Sequence, residues 1–125
     1  MNIVITTLSS KPIYEQIREQ IKTEVLKGNI EAGTCLPSIR LLASDLKVGI
    51  ITVKRAYQEL EQDGIVVNVQ GKGCYVRTLD QKEVHQQHCL LLKEQLADLR
   101  EFCEEYAIDK EEALAMFEEE WRNKT

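Results

Sequence analysis

Residues 36–40 read Leu36-Pro37-Ser38-Ile39-Arg40, and this stretch decides the fold of the chain. Serine is a favoured N-cap residue, and apolar residues follow it at helical spacing as far as Leu46. A further helix is predicted from about Ile50 to Asp63, and Gly64 ends it. Two helices joined by so short a turn pack at a steep angle, which is the helix-turn-helix arrangement.

The sequence before this pair predicts another helix. Apolar residues recur at helical spacing between residues 13 and 26, and Gly28 supplies a stop signal. Ser9 or Ser10 is the expected N-cap, with Pro12 in the first turn, where a missing N–H has no consequence. The residues ahead of this helix are β-branched and rich in serine, and we expect them to form an extended arm or a short strand.

The sequence after the pair predicts a β-hairpin. Residues 65–69 and 74–77 contain β-branched and aromatic side chains, and turn formers bound both runs. Between them, Gln70-Gly71-Lys72-Gly73 has the glycines that a tight hairpin loop needs. The expected fold is therefore mainly α with a small β-hairpin, a winged helix-turn-helix in residues 1–78.

The net charge of -5 hides two different charge balances. Residues 1–78 hold ten Lys and Arg against eight Asp and Glu, a balance of +2, whereas residues 79–125 hold six against thirteen, a balance of -7. The first part can approach nucleic-acid phosphates, and the second would be repelled by them. We therefore expect a DNA-binding domain in residues 1–78 and a separate helical tail, for dimerisation, in residues 79–125.

The sequence of the tail predicts two helices. They share an apolar face that must be buried against another surface. Apolar residues follow three-and-four spacing from Val84 to Tyr106, and Asp109 with Glu112 marks the start of a short final helix. We expect two chains to pair antiparallel about a two-fold axis, and a monomeric helical hairpin is the alternative. The residues expected at the dimer interface are Leu92, Leu96, Leu99, Phe102, Tyr106 and Phe117.

A tail of 47 residues in two helices is too small to enclose a drug-sized pocket within one chain. A site for an unknown small-molecule effector, if the protein has one, is therefore expected at the dimer interface or between tail and DNA-binding domain. Its candidate lining residues are aromatic, although aromatic residues at helical spacing are more often core: Phe102, Tyr106, Phe117 and Trp121.

Other classes of protein are disfavoured by the sequence. The four cysteines form no CxxC pair, so their spacing excludes a zinc finger and a thioredoxin-like motif. His85, His88 and Cys89 would share one helix face, but no carboxylate pattern completes a metal site. No nucleophile–base pairing or phosphate loop is visible, so we expect no enzyme, no metal and no cofactor. No apolar run approaches the ~20 residues of a membrane span and no signal peptide precedes the arm, so we expect a cytoplasmic protein without a membrane partner.

Several outward side chains can bind DNA, because a recognition helix must present donors to base edges and phosphates. Arg40 can make a bidentate contact with guanine or clamp a phosphate, and the Gly71 peptide N–H can approach a phosphate closely. Lys72 of the hairpin would lie on the same side. The outward positions of the recognition helix are Thr52, Lys54, Arg55 and Gln58.

Residues 12–77 resemble the winged-helix domain of the GntR family of bacterial transcription regulators. The matching features are Pro12-Ile13-Tyr14, Gln16-Ile17, Gly28, Gly33, Leu36-Pro37-Ser38, Arg40, Leu46, Val48, Thr52-Val53, Ala56-Tyr57, Leu60, Gly64 and Gln70-Gly71-Lys72-Gly73. The short helical tail is similar to that of the YtrA-like branch. This resemblance implies a dimeric, sequence-specific regulator that binds a palindromic operator in double-stranded DNA and represses an operon that includes a membrane transporter.

The resemblance also implies roles for individual residues. Ser38 and Arg40 match the family's contact positions at the second helix, and Thr52 and Lys54 match those in the recognition helix. Gln70-Gly71 matches the wing tip that enters the minor groove.

The chain departs from the family where the recognition helix begins. The family usually has polar residues there, often Ser-Arg-x-Thr or Asn-Pro-x-Thr, whereas this chain has Gly49-Ile50-Ile51-Thr52. Either isoleucine could touch thymine methyl groups, or one could pack inward. This apolar patch and the overall acidity motivate an alternative function, a winged-helix adaptor that binds protein and not DNA.

Overall fold

The structure, a computed structural model, describes residues 1–124. In chain order its elements are α1 (Ile13–Leu26), α2 (Ile39–Leu46), α3 (Ile50–Gln62), β1 (Val66–Val69), β2 (Gly73–Val76), α4 (Gln81–Glu105) and α5 (Lys110–Arg122). The fold class is confirmed: a winged helix-turn-helix is followed by two C-terminal helices. The chain forms two compact units, the first Met1–Val84 and the second starting at His85.

α1 begins at a proline and not at a serine cap. Pro12 is the N-cap residue, and its carbonyl oxygen accepts hydrogen bonds of 3.1 Å from the N–H groups of Glu15 and Gln16. The predicted cap by Ser9 or Ser10 is wrong. Ser9 Oγ accepts instead from the Lys11 N–H at 3.1 Å, a turn that ends before the helix begins.

α2 and α3 form the predicted helix-turn-helix. Ser38 Oγ accepts a 3.1 Å hydrogen bond from the Leu41 N–H, so the predicted N-cap of α2 is confirmed. α2 ends at Lys47, which has a left-handed φ of 58°, and α3 follows from Ile50. The inward face predicted for α3 is also confirmed, since its buried residues are Val53, Ala56, Tyr57 and Leu60.

The core of the first unit lies where α1, α2 and the hairpin meet α3. Its largest fully buried side chains come from three elements and from the residue that precedes β1: Ile17, Ile21, Val53, Leu60, Ile65 and Val66. A charged group also enters this packing. Lys22 is only 2% exposed, and its Nζ lies 3.8 Å from Asp63 Oδ2, which accepts a 2.8 Å hydrogen bond from Arg18 Nε.

The hairpin is joined to the segment that leads into α2. β1 and β2 pair antiparallel, with Val66 opposite Val76 and Val69 opposite Gly73. The Leu36 N–H donates a 2.8 Å hydrogen bond to the Cys74 carbonyl oxygen, which extends the sheet towards α2. The wing and the start of α2 are therefore held together by backbone hydrogen bonds, which the sequence did not indicate.

The N-terminal residues form an extended arm without a strand, one of the two forms that the sequence predicted. Side-chain amides of α1 hold the arm in place. Gln16 accepts from the Thr6 N–H at 3.0 Å and donates to the Thr6 carbonyl at 2.9 Å. Gln20 makes the same pair of bonds with Val4, at 2.9 and 2.8 Å. The two amides thus replace the backbone of a neighbouring strand.

Candidate nucleic-acid interface

A groove of about 460 Å³ runs between the start of α2, the outer side of α3 and the hairpin. Three exposed cationic residues line it, Arg40 from α2, Lys54 from α3 and Lys72 from the wing. Ser38 lies beside them at the start of α2. Positive charge from three elements faces one concave surface, which suits a polyanion that carries closely spaced phosphates.

The recognition helix holds the Leu36–Arg40 segment in place. The Tyr57 hydroxyl donates a 2.7 Å hydrogen bond to the Pro37 carbonyl oxygen. Burial raises the pKa of Tyr57 well above its ordinary value, and the nearby Cys74 and Cys35 thiols raise it further. The hydroxyl therefore keeps its proton at neutral pH and can donate this hydrogen bond. The bond fixes the position of the segment that carries Arg40.

Arg55 lies outside this groove. Its guanidinium carbon is 3.8 Å from the centroid of the Tyr14 ring, a cation–π contact with α1. Its Nε donates a 3.2 Å hydrogen bond to Glu59 Oε2. The structure thus brings Ser38, Arg40, Lys54 and Lys72 together and places Arg55 on the side of α3 that faces α1.

The remaining candidate DNA contacts, Thr52, Gln70 and Gly71, are not among the residues that line the groove. Thr52 is half-buried in the first turn of α3, with Ile50 and Ile51 before it. Gln70 and Gly71 are exposed at the tip of the hairpin, where Gly71 has a φ of 77° that favours glycine.

The two isoleucines at the start of α3 do not pack inward. The exposed fraction is 49% for Ile50 and 81% for Ile51. Of the two roles that the sequence left open for this pair, the buried one is wrong, because Val53 and Ala56 fill the inner face of the helix.

The second unit carries an uncovered apolar face. Within α4 and α5, which lie wholly in the described part of the chain, no side chain is buried. An open groove of about 750 Å³ between the two helices is lined by Leu92, Leu96, Leu99 and Phe117, among others. The rings of Phe102, in the last turn of α4, and Tyr106, just after it, lie in contact with centroids 4.7 Å apart and planes tilted by 48°. All six residues predicted at the dimer interface are about half exposed.

Cysteines lie both in the groove, where Cys74 lines it, and on α4, where Cys89 is close to a histidine. Burial raises the pKa of Cys74 to about 11, helped by the charges of Glu61 and Cys35, so this thiol stays protonated at neutral pH. His85 Nε2 lies 3.5 Å from Cys89 Sγ on α4. Residues 1–124 contain no group of three or more side chains placed to hold a metal ion, and no helix among them has the length and apolar character needed to cross a membrane.

Comparison with known proteins places the chain. The family model described as "Bacterial regulatory proteins, gntR family" matches residues 13–76. The HTH-type transcriptional repressor YtrA of Bacillus subtilis (strain 168) is 40% identical over 97 residues, which cover 78% of this chain and 75% of YtrA. An alignment of that length must extend beyond the first unit into α4.

Solved structures of related regulators support the same family assignment. A GntR family transcriptional regulator from Listeria monocytogenes superposes with a TM-score of 0.67 at 36% identity, over 89% of this chain and 96% of that one. The DNA-binding domain of AraR, solved in complex with its operator ORX1, superposes with a TM-score of 0.54 at 25% identity, over 61% of this chain and 95% of that one. The chain belongs to the gntR family of bacterial regulatory proteins and is a YtrA-like, DNA-binding transcription regulator.

Proposed function

We propose that this protein acts as a homodimeric repressor that binds a palindromic operator in double-stranded DNA. The observation that carries the proposal is the groove in which Arg40, Lys54 and Lys72 converge from three elements. A single winged helix makes few phosphate contacts, so two linked copies gain effective concentration and read two half-sites.

Within this proposal, residues 1–78 bind DNA. Arg40 and Lys54 contact bases or phosphates in the major groove, and the wing tip with Gln70, Gly71 and Lys72 enters the adjacent minor groove. Ser38 and Thr52 add hydroxyl contacts to the same surface. Arg55 contributes positive charge from the α1 side, where its Tyr14 and Glu59 contacts hold it.

Residues 79–125 provide the dimer interface. A half-exposed apolar stripe of this length is unfavourable in water, and covering it by a second copy removes that cost. The acidity of the tail, with a charge balance of -7, keeps it away from DNA.

The proposed biological role is control of an operon, with a membrane transporter among its products, by a protein that acts in the cytoplasm and without catalysis. YtrA itself is named a transcriptional repressor, and the likeness to it supports repression over activation. An effector site is proposed at the interface between the two copies, where the apolar faces of their tails meet.

The test is binding to the DNA upstream of the protein's own gene, by fluorescence anisotropy. Arg40→Glu and Lys54→Glu together reverse two charges in the groove, and we expect them to abolish the specific complex. Lys27→Glu with Lys82→Glu is the matched control, because these exposed lysines lie outside the groove. We expect the control to bind like the wild type.

The same experiment decides between DNA binding and the adaptor. A protein–protein adaptor would tolerate the groove reversal and would show no salt-sensitive binding to DNA. Wild-type protein that binds neither its own upstream DNA nor duplexes selected from a random pool would contradict the proposal.

A further inference from the structure

We propose that Ile51 reads a thymine methyl group in the major groove and so sets the operator preference of this protein. The inference rests on the proposed function, because it assigns a specificity-determining role within the same DNA-binding surface.

The position of Ile51 on α3 is the first argument. Residues three and seven positions apart lie on one face of a helix, so Ile51 shares a row with Lys54 and Gln58. Both of those residues line the cationic groove. The row points away from the buried face that carries Val53 and Ala56. Ile51 therefore extends the groove-lining row to the first turn of the recognition helix.

The exposure of the two side chains is the second argument. Ile51 is 81% exposed and Ile50 is 49% exposed, whereas the next apolar residue of the helix, Val53, is completely buried. The N-terminal residues of a recognition helix are the ones that meet base edges in the major groove. Ile51 thus stands where a base edge is expected, with no protein contact to cover most of its surface.

The chemistry of the base edges selects the partner. Isoleucine neither donates nor accepts hydrogen bonds, and the thymine 5-methyl group is the apolar feature that the major groove presents. All four bases present donors or acceptors there, but only thymine adds an apolar group, so over the other bases an isoleucine would dehydrate polar atoms without gaining an apolar contact. Ile51 should therefore favour A·T pairs with the thymine on the strand that faces it and disfavour G·C pairs.

Thymine and deoxyuridine differ only by this methyl group, so their exchange tests the contact directly. Duplexes that the wild-type protein selects from a random pool serve as probes, with each dT replaced in turn by dU. We expect at least one replacement in each half-site to weaken wild-type binding about 3- to 5-fold, the effect of removing one buried methyl group. Ile51→Ala should bind the dT and dU duplexes equally well.

Leu90→Ala is the matched control, because it shortens an exposed apolar side chain on α4 outside the winged helix. Thermal unfolding should show that both variants are folded, as expected for exposed helical positions. If dU replacements weaken Ile51→Ala and the wild type alike, or weaken neither, the inference is overturned while the proposed function stands. If the wild-type protein binds no DNA at all, both are overturned.

Discussion

The Tyr57 hydroxyl donates a 2.7 Å hydrogen bond to the Pro37 carbonyl oxygen and thereby ties the recognition helix to the segment that carries Arg40. Tyr57 lies in α3 and Pro37 just before α2, and the tyrosine is 6% exposed. The bond replaces water for a carbonyl group that lies outside any helix or strand. The bond therefore fixes the segment that carries Arg40 against the helix that carries Lys54.

Tyr57→Phe should destabilise the first unit by about 0.5–1.5 kcal/mol, because the Pro37 carbonyl loses its partner while the ring packing is kept. Urea denaturation measures the change in unfolding free energy. Tyr75→Phe is the control, since its hydroxyl makes a long contact of 3.4 Å with the Lys72 carbonyl and a hydrogen bond with the Cys35 thiol, both near the surface. Equal stability of Tyr57→Phe and the wild type would show that the bond contributes nothing.

Asp63→Asn should be more costly, at about 3 kcal/mol, because it leaves the buried Lys22 and the nearby Arg18 without their carboxylate. The contrasting variant is Glu59→Gln, which removes an exposed ion pair with Arg55 and should cost less than about 1 kcal/mol. Denaturation midpoints of the two variants compare them directly. A ranking in the opposite order would contradict the role assigned to Asp63.

The local signals of the sequence were sufficient for the elements and for much of the groove. The Ser38 cap, the ends of α2 and α3 and the inward residues of α3 depend on neighbours within one or two helical turns. Arg40, Lys54 and Lys72 were grouped correctly because the helix-turn-helix and the hairpin have standard positions relative to each other.

Contacts between segments that are far apart in the chain could not be predicted from the sequence. The stacking of Arg55 on Tyr14 depends on how α1 packs against α3, which no local spacing encodes. The pairing of Gln16 with the arm is of the same kind. The predicted serine cap failed because Pro12, nearer to the helix, already starts it.

Cys74 should resist alkylation at pH 8. Its pKa is raised from an ordinary value of 9.0 to about 11, so its thiolate fraction is about 100-fold lower than that of an unperturbed thiol. Iodoacetamide labelling followed by mass spectrometry should find Cys74 modified much more slowly than the exposed Cys89. In urea the two should react alike, and equal rates in the folded protein would contradict the prediction.

The same shift makes stability fall at alkaline pH. The unfolded protein releases the Cys74 proton near pH 9, whereas the folded protein retains it until about pH 11. Its contribution is therefore complete below pH 9 and is lost as the pH rises to 11. Cys74→Ala should show a smaller loss of unfolding free energy than the wild type between these pH values.

Leu96→Asp should convert the proposed dimer into monomers, because it places a charge on the apolar face of α4. Leu90→Asp is the matched control, since helical geometry puts Leu90 on the opposite face from Leu92, Leu96 and Leu99. Sedimentation velocity gives the mass of each species. A dimeric Leu96→Asp, or a monomeric wild type, would show that the tail does not pair through this face.

The most direct test of the cationic groove is the salt dependence of binding to a duplex selected by the wild-type protein. The logarithm of the binding constant should fall linearly with the logarithm of salt concentration. In a dimer, Lys72→Ala should reduce the slope by about 2, because each chain loses one contact, and Lys27→Ala should leave it unchanged. A slope that Lys72→Ala does not alter, or binding that salt does not weaken, would contradict the assignment of this groove to DNA.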